Sequence, residues 1–206
     1  MSKLLVNWKE VKGFSKGEFE PYSEDGSMLA SDLTWDMHPT LIYQLQDIRE
    51  RGVKKYHRFQ VVVHRNGGFS LSGHSPTSLH YGSQEHDREF VKDLTGLDRC
   101  LVGRACDFHC RFMSGDGIWV GVPWLDQALI VMAGLDELQY GLGFMPNWNQ
   151  QGCHLDVRLG IRTPAVWWKK DGGEYRNYVW GDLHEALRDV ILYRSERIKS
   201  GGGGLV

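Results

Sequence analysis

The sequence predicts an α+β domain, in which amphipathic helices are mixed with short strands that follow no regular alternation. Three observations carry this expectation. Apolar residues recur at helical spacing in several segments, and short runs rich in β-branched residues stand apart from them. The length, 206 residues with 41% hydrophobic and 24% charged side chains, suits one domain with a full core. No internal repeat is present.

Taken in order, Trp8 to Phe19 is a segment of mixed character that leads into a polar loop rich in Glu, Ser and Gly. A helix is expected from Pro39, because proline suits a first helical turn. Leu41, Ile42, Leu45 and Ile48 form its apolar stripe, and Gly52 supplies a stop signal. Phe59 to His64 reads as a strand closed by Asn66-Gly67-Gly68. Residues 83–98 are charged, with Phe90, Val91 and Leu94 at helical spacing, and read as an inserted helix. A buried strand is expected through Arg104 to Cys110, and a further helix from Trp124 to about Leu138. Gly141 to Asn147 reads as a loop delivering the next strand. Asp182-x-x-Glu185 has the form of a capping box opening a last helix with the face Leu183, Ala186, Leu187, Val190 and Ile191. Arg194, Arg197 and Lys199 suit the negative end of that helix. Four glycines then set off residues 200–206 as a tail to a 1–199 domain.

The formal net charge is −2 and there is no long basic run, so a nucleic-acid partner is not expected. No apolar run reaches membrane-spanning length, and the first residues lack the pattern of a secretory signal. The expectation is a monomer made as a soluble cytoplasmic species, with no membrane partner.

The most informative stretch is His154-Leu155-Asp156-Val157-Arg158. Residues two apart on a strand point the same way, so the His154 imidazole and the Asp156 carboxylate project together. Asp107 and His109 form a second such pair, and His80 is a third candidate. Two imidazoles, a carboxylate and an open position would make a catalytic zinc site, whereas four closed ligands would be structural. Histidines and aspartates at these spacings also serve as ordinary core and surface groups. Of the four cysteines, Cys100, Cys106, Cys110 and Cys153, none forms Cys-x-x-Cys. Cys106 and Cys153 directly precede suspected ligands, so on strands they face away from them and read as buried thiols.

Read together, these segments resemble the zinc peptidases related to D-alanyl-D-alanine carboxypeptidase, metallopeptidase family fifteen. The segments are Lys-Gly-Phe-Ser-Lys-Gly-Glu-Phe ending at Phe19, Met37-His38-Pro39 with Leu41, Leu45 and Arg49, Ser78-Leu79-His80, and Gly103-Arg104-Ala105-Cys106-Asp107. Gly141-Leu142-Gly143-Phe144-Met145-Pro146, then His154-x-Asp156 with Trp167 beyond, complete the order. The resemblance implies a central, mainly antiparallel sheet flanked by helices, on the hedgehog/D,D-peptidase-like fold. It implies Zn2+ held by His80, Asp107 and His154, and hydrolysis of peptide bonds in peptidoglycan stem peptides. A form of this size resembles phage or prophage lysis enzymes, which would act at the cell wall after release.

Two departures shape the expected mechanism. As many as 26 residues lie between His80 and Asp107, many more than in such peptidases, with the 83–98 helix among them. The position three before His154, where many relatives carry an acid, is Gln151, whose amide cannot take a proton from water. Asp156 is then the leading acid–base group, its other role being to hold a histidine ring in the ligating tautomer. His109, beside Asp107, has the same ambiguity. Arg65 stands nearest to the arginine that relatives place upstream of the first histidine. It reads either as the partner of a substrate carboxylate or as a solvated strand-end charge, and Arg104 either as such a partner or as a structural ion-pair member. Trp148, Trp167 and Trp168 line a substrate groove or belong to the core. The alternative to an enzyme is a metal-binding or structural protein, virion-associated, on the same fold.

Overall fold

A computed structural model describes residues 6–20, 35–65, 67–70, 78–80, 101–135, 139–146, 151–158, 163–170 and 173–200. The strands, in chain order, are β1 (Trp35–Met37), β2 (Phe59–Val63), β3 (Leu101–Gly103), β4 (Ala105–Met113), β5 (Trp119–Gly121), β6 (Tyr140–Met145), β7 (Gly152–Val157), β8 (Ala165–Lys169) and β9 (Tyr175–Tyr178). The three helices among the described residues are α1 (Pro39–Lys55), α2 (Trp124–Met132) and α3 (Leu183–Lys199). The result is a single-domain α+β fold built on an open, mostly antiparallel sheet. Its strand order is β2-β4-β7-β6-β8-β9, with β5 also pairing with β4. Only β6 and β8 run parallel within it, and β1 and β3 form a separate parallel pair.

The period of two divides this sheet into unlike faces. Phe59, Val61, Cys106, Phe108, Cys110, Leu142, Phe144, Cys153, Leu155, Val166 and Trp168 are buried on one face. Helix α1 packs there over β2 and β7, α2 over β7, and α3 over β8 and β9. Leu41, Ile42, Leu45 and Ile48 deliver the predicted stripe into this core. The opposite face carries His154 and Asp156 on β7, with Asp107 and His109 beside them on β4. Cys106, Cys110 and Cys153 are free, buried thiols as expected, with burial holding each well above its ordinary pKa.

Several elements differ from expectation for identifiable reasons. Gly52 does not stop α1, which runs on to Lys55. A β-carbon there would strike the ring of Phe59, so the glycine is a notch through which helix and strand approach. Helix α2 ends at Met132 rather than near Leu138, where the chain turns at Gly134 with φ +82°. The segment expected as a loop at Gly141 is instead the fully buried strand β6. Its Tyr140, Leu142 and Phe144 fill the core, and the intervening glycines face the other side. Asp182 precedes α3 but makes no capping bond from its side chain. The 83–98 segment, Cys100, Trp148 and the tail beyond Ser200 lie outside the described residues. No helix among the described residues is long and apolar enough to cross a membrane.

Candidate metal centre

Strand register brings the distant halves of the site together. Asp107 on β4 pairs with His154 on β7, and Ala105 with Asp156. Cross-strand partners project from the same face, so the Asp107 carboxylate meets the His154 imidazole. His80 arrives from outside the sheet, on a short segment held by its backbone. The Leu79 carbonyl accepts from Arg104 N (3.0 Å), the His80 carbonyl accepts from Ser70 N (3.0 Å), and His80 N donates to Ser78 Oγ (3.3 Å).

The three side chains offer ligand atoms that lie within 4.8 Å of one another, a group that could hold a metal ion. His80 Nε2 stands 3.3 Å from His154 Nδ1 and 3.6 Å from Asp107 Oδ1. Donor atoms placed tetrahedrally about an ion such as zinc would be ~3.3 Å apart. His154 Nδ1 and Asp107 Oδ1 are closer, at 2.6 Å, the length of a charge-assisted hydrogen bond, and positive charge is favoured here. Burial alone would lower the pKa of His154, but Asp107 and Asp156 outweigh it and raise it to about 9. Burial likewise pushes Asp107 up, and the imidazoles of His80 and His154 overcome this to hold its carboxyl well below the usual range. His80 is 1% exposed while Asp107 and His154 keep 15% and 13%, so the approach from solvent is over the latter two.

The far nitrogen of each ring is also committed. His80 Nδ1–H donates to the Gly68 carbonyl at 2.8 Å, which leaves the Nε2 lone pair facing the cluster. His154 Nε2–H donates to Asp156 Oδ2 at 3.0 Å, which reserves Nδ1 for the cluster. Asp156 is 2% exposed and its oxygens also accept from Arg158, at 2.7 Å (Nε) and 3.2 Å (Nη2). Of the two roles the sequence left open for Asp156, this placement fits the supporting one. The carboxylate sits behind the histidine ring, bonded to the nitrogen that faces away from Asp107.

The other named residues are distributed around this centre. Trp167 leans against His154, with ring centroids 5.1 Å apart, whereas Trp168 points into the core and donates to Tyr178 Oη. Arg65 is exposed in the turn after β2, between His64, whose N donates to the Asp107 carbonyl, and Gly67, whose carbonyl accepts from Asp107 N. Arg104 is buried, between β3 and β4. His109 is outside the cluster. It pairs instead with His64, Nδ1 to Nε2 at 3.1 Å, and burial first, then His64 and Arg111, lowers it to about 4. Gln151 lies just before β7, its carbonyl accepting from the buried Gln127 amide at 3.3 Å.

Sequence reasoning missed Arg158 and Gly68 as parts of this centre. Arg158 could have been found by extending the period of two, since it sits on the ligand face. No spacing rule finds Gly68, which contributes only a carbonyl. Comparison with known proteins returns nothing: no family, curated protein or solved structure matches the chain.

Proposed function

We propose that the protein is a zinc-dependent peptidase that hydrolyses a peptide bond in bacterial peptidoglycan stem peptides, on a hedgehog/D,D-peptidase-like fold and of the phage or prophage lysis type. One observation carries the metal part: both histidines donate their far N–H to a fixed acceptor, so their remaining nitrogens converge with one carboxylate. Ordinary paired histidines do not need two such locks, whereas ligating imidazoles regularly have them. Three N/O ligands from the protein with a solvent-side approach fit a catalytic rather than a closed structural site. The peptidase part is supported by the order of motifs from Trp8 to Trp167.

In this reading His80, Asp107 and His154 hold the ion, which when bound would supply Lewis acidity toward a scissile carbonyl and toward water. Asp156 keeps His154 protonated at Nε2, leaving Nδ1 as the ligand. Arg65, exposed beside Asp107, receives a carboxylate of the substrate in a charge-assisted bond. Asp156 is already engaged by Arg158 and His154, so in this reading the proton acceptor is His109, on the same face of the sheet, or a group in the 83–98 segment.

The test is the release of new amino groups from purified cell walls, lost on chelation and restored by zinc. DNA and ordinary L-peptides are expected to be inert. Inactivity on several wall chemistries with one metal ion bound per chain would overturn the peptidase reading. It would favour a metal-binding or structural protein on this fold, a reading that Gln151 and the engaged Asp156 support.

A further inference from the structure

We infer that Arg158 is a positioning residue for the metal centre, acting through Asp156 on His154 and locked in place by Trp167 and Thr163. The inference rests on the metal part of the proposal above and extends it to a residue that touches none of the three ligands' donor atoms.

The guanidinium is held on every side. Nε and Nη2 form a two-pronged bond to the two oxygens of Asp156, and Nη1 donates to the Thr163 carbonyl at 3.1 Å. Its carbon lies 4.6 Å from the centre of the Trp167 ring, within range of a cation–π contact. Asp156 Oδ2 accepts from both Arg158 and His154, so the orientation of the carboxylate sets the plane in which the imidazole can donate. Trp167 touches His154 from the other side, which leaves the ring little freedom to flip. The backbone beneath makes room for this arrangement. A β-carbon at Gly141 would strike the Arg158 guanidinium and Asp156, and one at Gly143 would lie 2.7 Å from the Trp167 ring.

Charge points the same way. His154 stands between two carboxylates, Asp107 and Asp156, and among the described residues Asp156 has a guanidinium bonded directly to it in addition to histidine. Arg158 neutralises that second carboxylate while leaving it able to accept. Without Arg158, a buried anion would lose one of its two partners, and Asp156 would be freer to turn from His154. A lysine keeps the charge but cannot present a fork, so it should substitute only in part.

Zinc affinity, read by competition with a chromophoric chelator, should fall about 10–100-fold in Arg158→Gln and less in Arg158→Lys. The double variant Asp156→Asn/Arg158→Gln should lose no more than the weaker single variant, because the two residues act as a unit. In the zinc-bound protein, imidazole 15N spectra should show His154 coordinated through Nδ1. A mixture of Nδ1 and Nε2 coordination is expected in either single variant, a signature that general loosening of the fold would not give. If Arg158→Gln does not fold, Asp156→Asn carries the same spectroscopic test. Unchanged affinity and Nδ1 coordination in these variants, with zinc lost in His154→Ala, would overturn the inference and leave the metal centre standing. Failure of the unmodified chain to bind zinc would overturn both. A loss of affinity that only follows loss of folded, metal-free protein would make Arg158 a stabilising residue and overturn its positioning role.

Discussion

His80 and His154 approach to 3.3 Å, and His64 and His109 approach to 3.1 Å, with His154, His64 and His109 all on the side of the sheet opposite the three described helices. The distances are alike but the surroundings are not. Behind His80 and His154 stand fixed acceptors, the Gly68 carbonyl and Asp156, and between them lies Asp107. His64 and His109 share a hydrogen bond with each other, and burial lowers both, with Asp107 partly offsetting this at His64. The first pair is therefore an electron-rich cluster that calls for a cation, and the second is a neutral pair. The acceptors fixed behind both rings of the first pair mark it as a group that could hold a metal ion.

The comparison is broken most directly by removing one ring from each pair. His154→Ala should lower zinc affinity well beyond the ~10–100-fold typical of supporting residues. His109→Ala should leave zinc stoichiometry at one per chain. Elemental analysis after purification without chelator, followed by chelator competition, reads both. Equal zinc loss in the two variants would show that the contrast between the pairs is not real. Chelation should also lower the melting temperature of the unmodified protein, since an ion bound at 1,000 times its Kd adds about 4 kcal/mol. In His154→Ala that chelation effect should disappear.

The second effect is smaller and appears without metal, where the two pairs should fail at opposite ends of the pH scale. His109 is lowered to about 4 from an ordinary value of 6.5, so the unfolded chain binds more protons between those values. The stability this contributes is fully present above 6.5 and is lost as pH falls toward 4. His154 is raised to about 9, so its contribution is fully present below 6.5 and is lost as pH rises through 9. Each effect is on the order of 1–3 kcal/mol. Denaturant midpoints of the chelated protein across this range check the signs. His109→Gln should flatten the acid limb, and His154→Gln the alkaline limb, with a further change on the acid side because Asp107 and Asp156 lose the imidazole that lowers them.

How much of this was legible in the sequence depends on what kind of interaction fixes each residue. Asp107 and His154 could be read because a strand's period of two is local, and α1 because Leu41, Ile42, Leu45 and Ile48 announce their own face. The pairing of Asp107 with His154 is a register, set by side chains far apart in sequence, and only the resemblance of ordered motifs anticipated it. His80 obeys no period. Its position comes from backbone bonds to Ser70 and Arg104 and from a carbonyl at Gly68. The clearest misreading is β6, a strand where the sequence predicts a loop from Gly141 to Asn147. At Gly141 and Gly143 the missing side chain creates space, and the intervening Leu142 and Phe144 carry the strand's burial.

That misreading supplies the smallest and most specific test of why one face of the sheet can hold a metal centre. Gly143 is opposite both His154 on β7 and Trp167 on β8. A β-carbon there would lie 2.7 Å from two atoms of the Trp167 ring, too close for either to stay in place. The ring is only 7% exposed and is rigid, so Gly143→Ala has to push it toward His154 or outward into solvent. Overpacking of this kind costs about 1 kcal/mol or somewhat more. The matching control is Gly121→Ala on β5, where no heavy atom lies within 4 Å of the added carbon. That change should stay within about 0.5 kcal/mol. If the glycine serves the centre and not just the strand, Gly143→Ala should also weaken zinc binding, by less than Arg158→Gln does. Loss of stability with unchanged zinc affinity would confine Gly143 to packing, and the freedom of Trp167 to sit against His154 would then have no part in holding the metal.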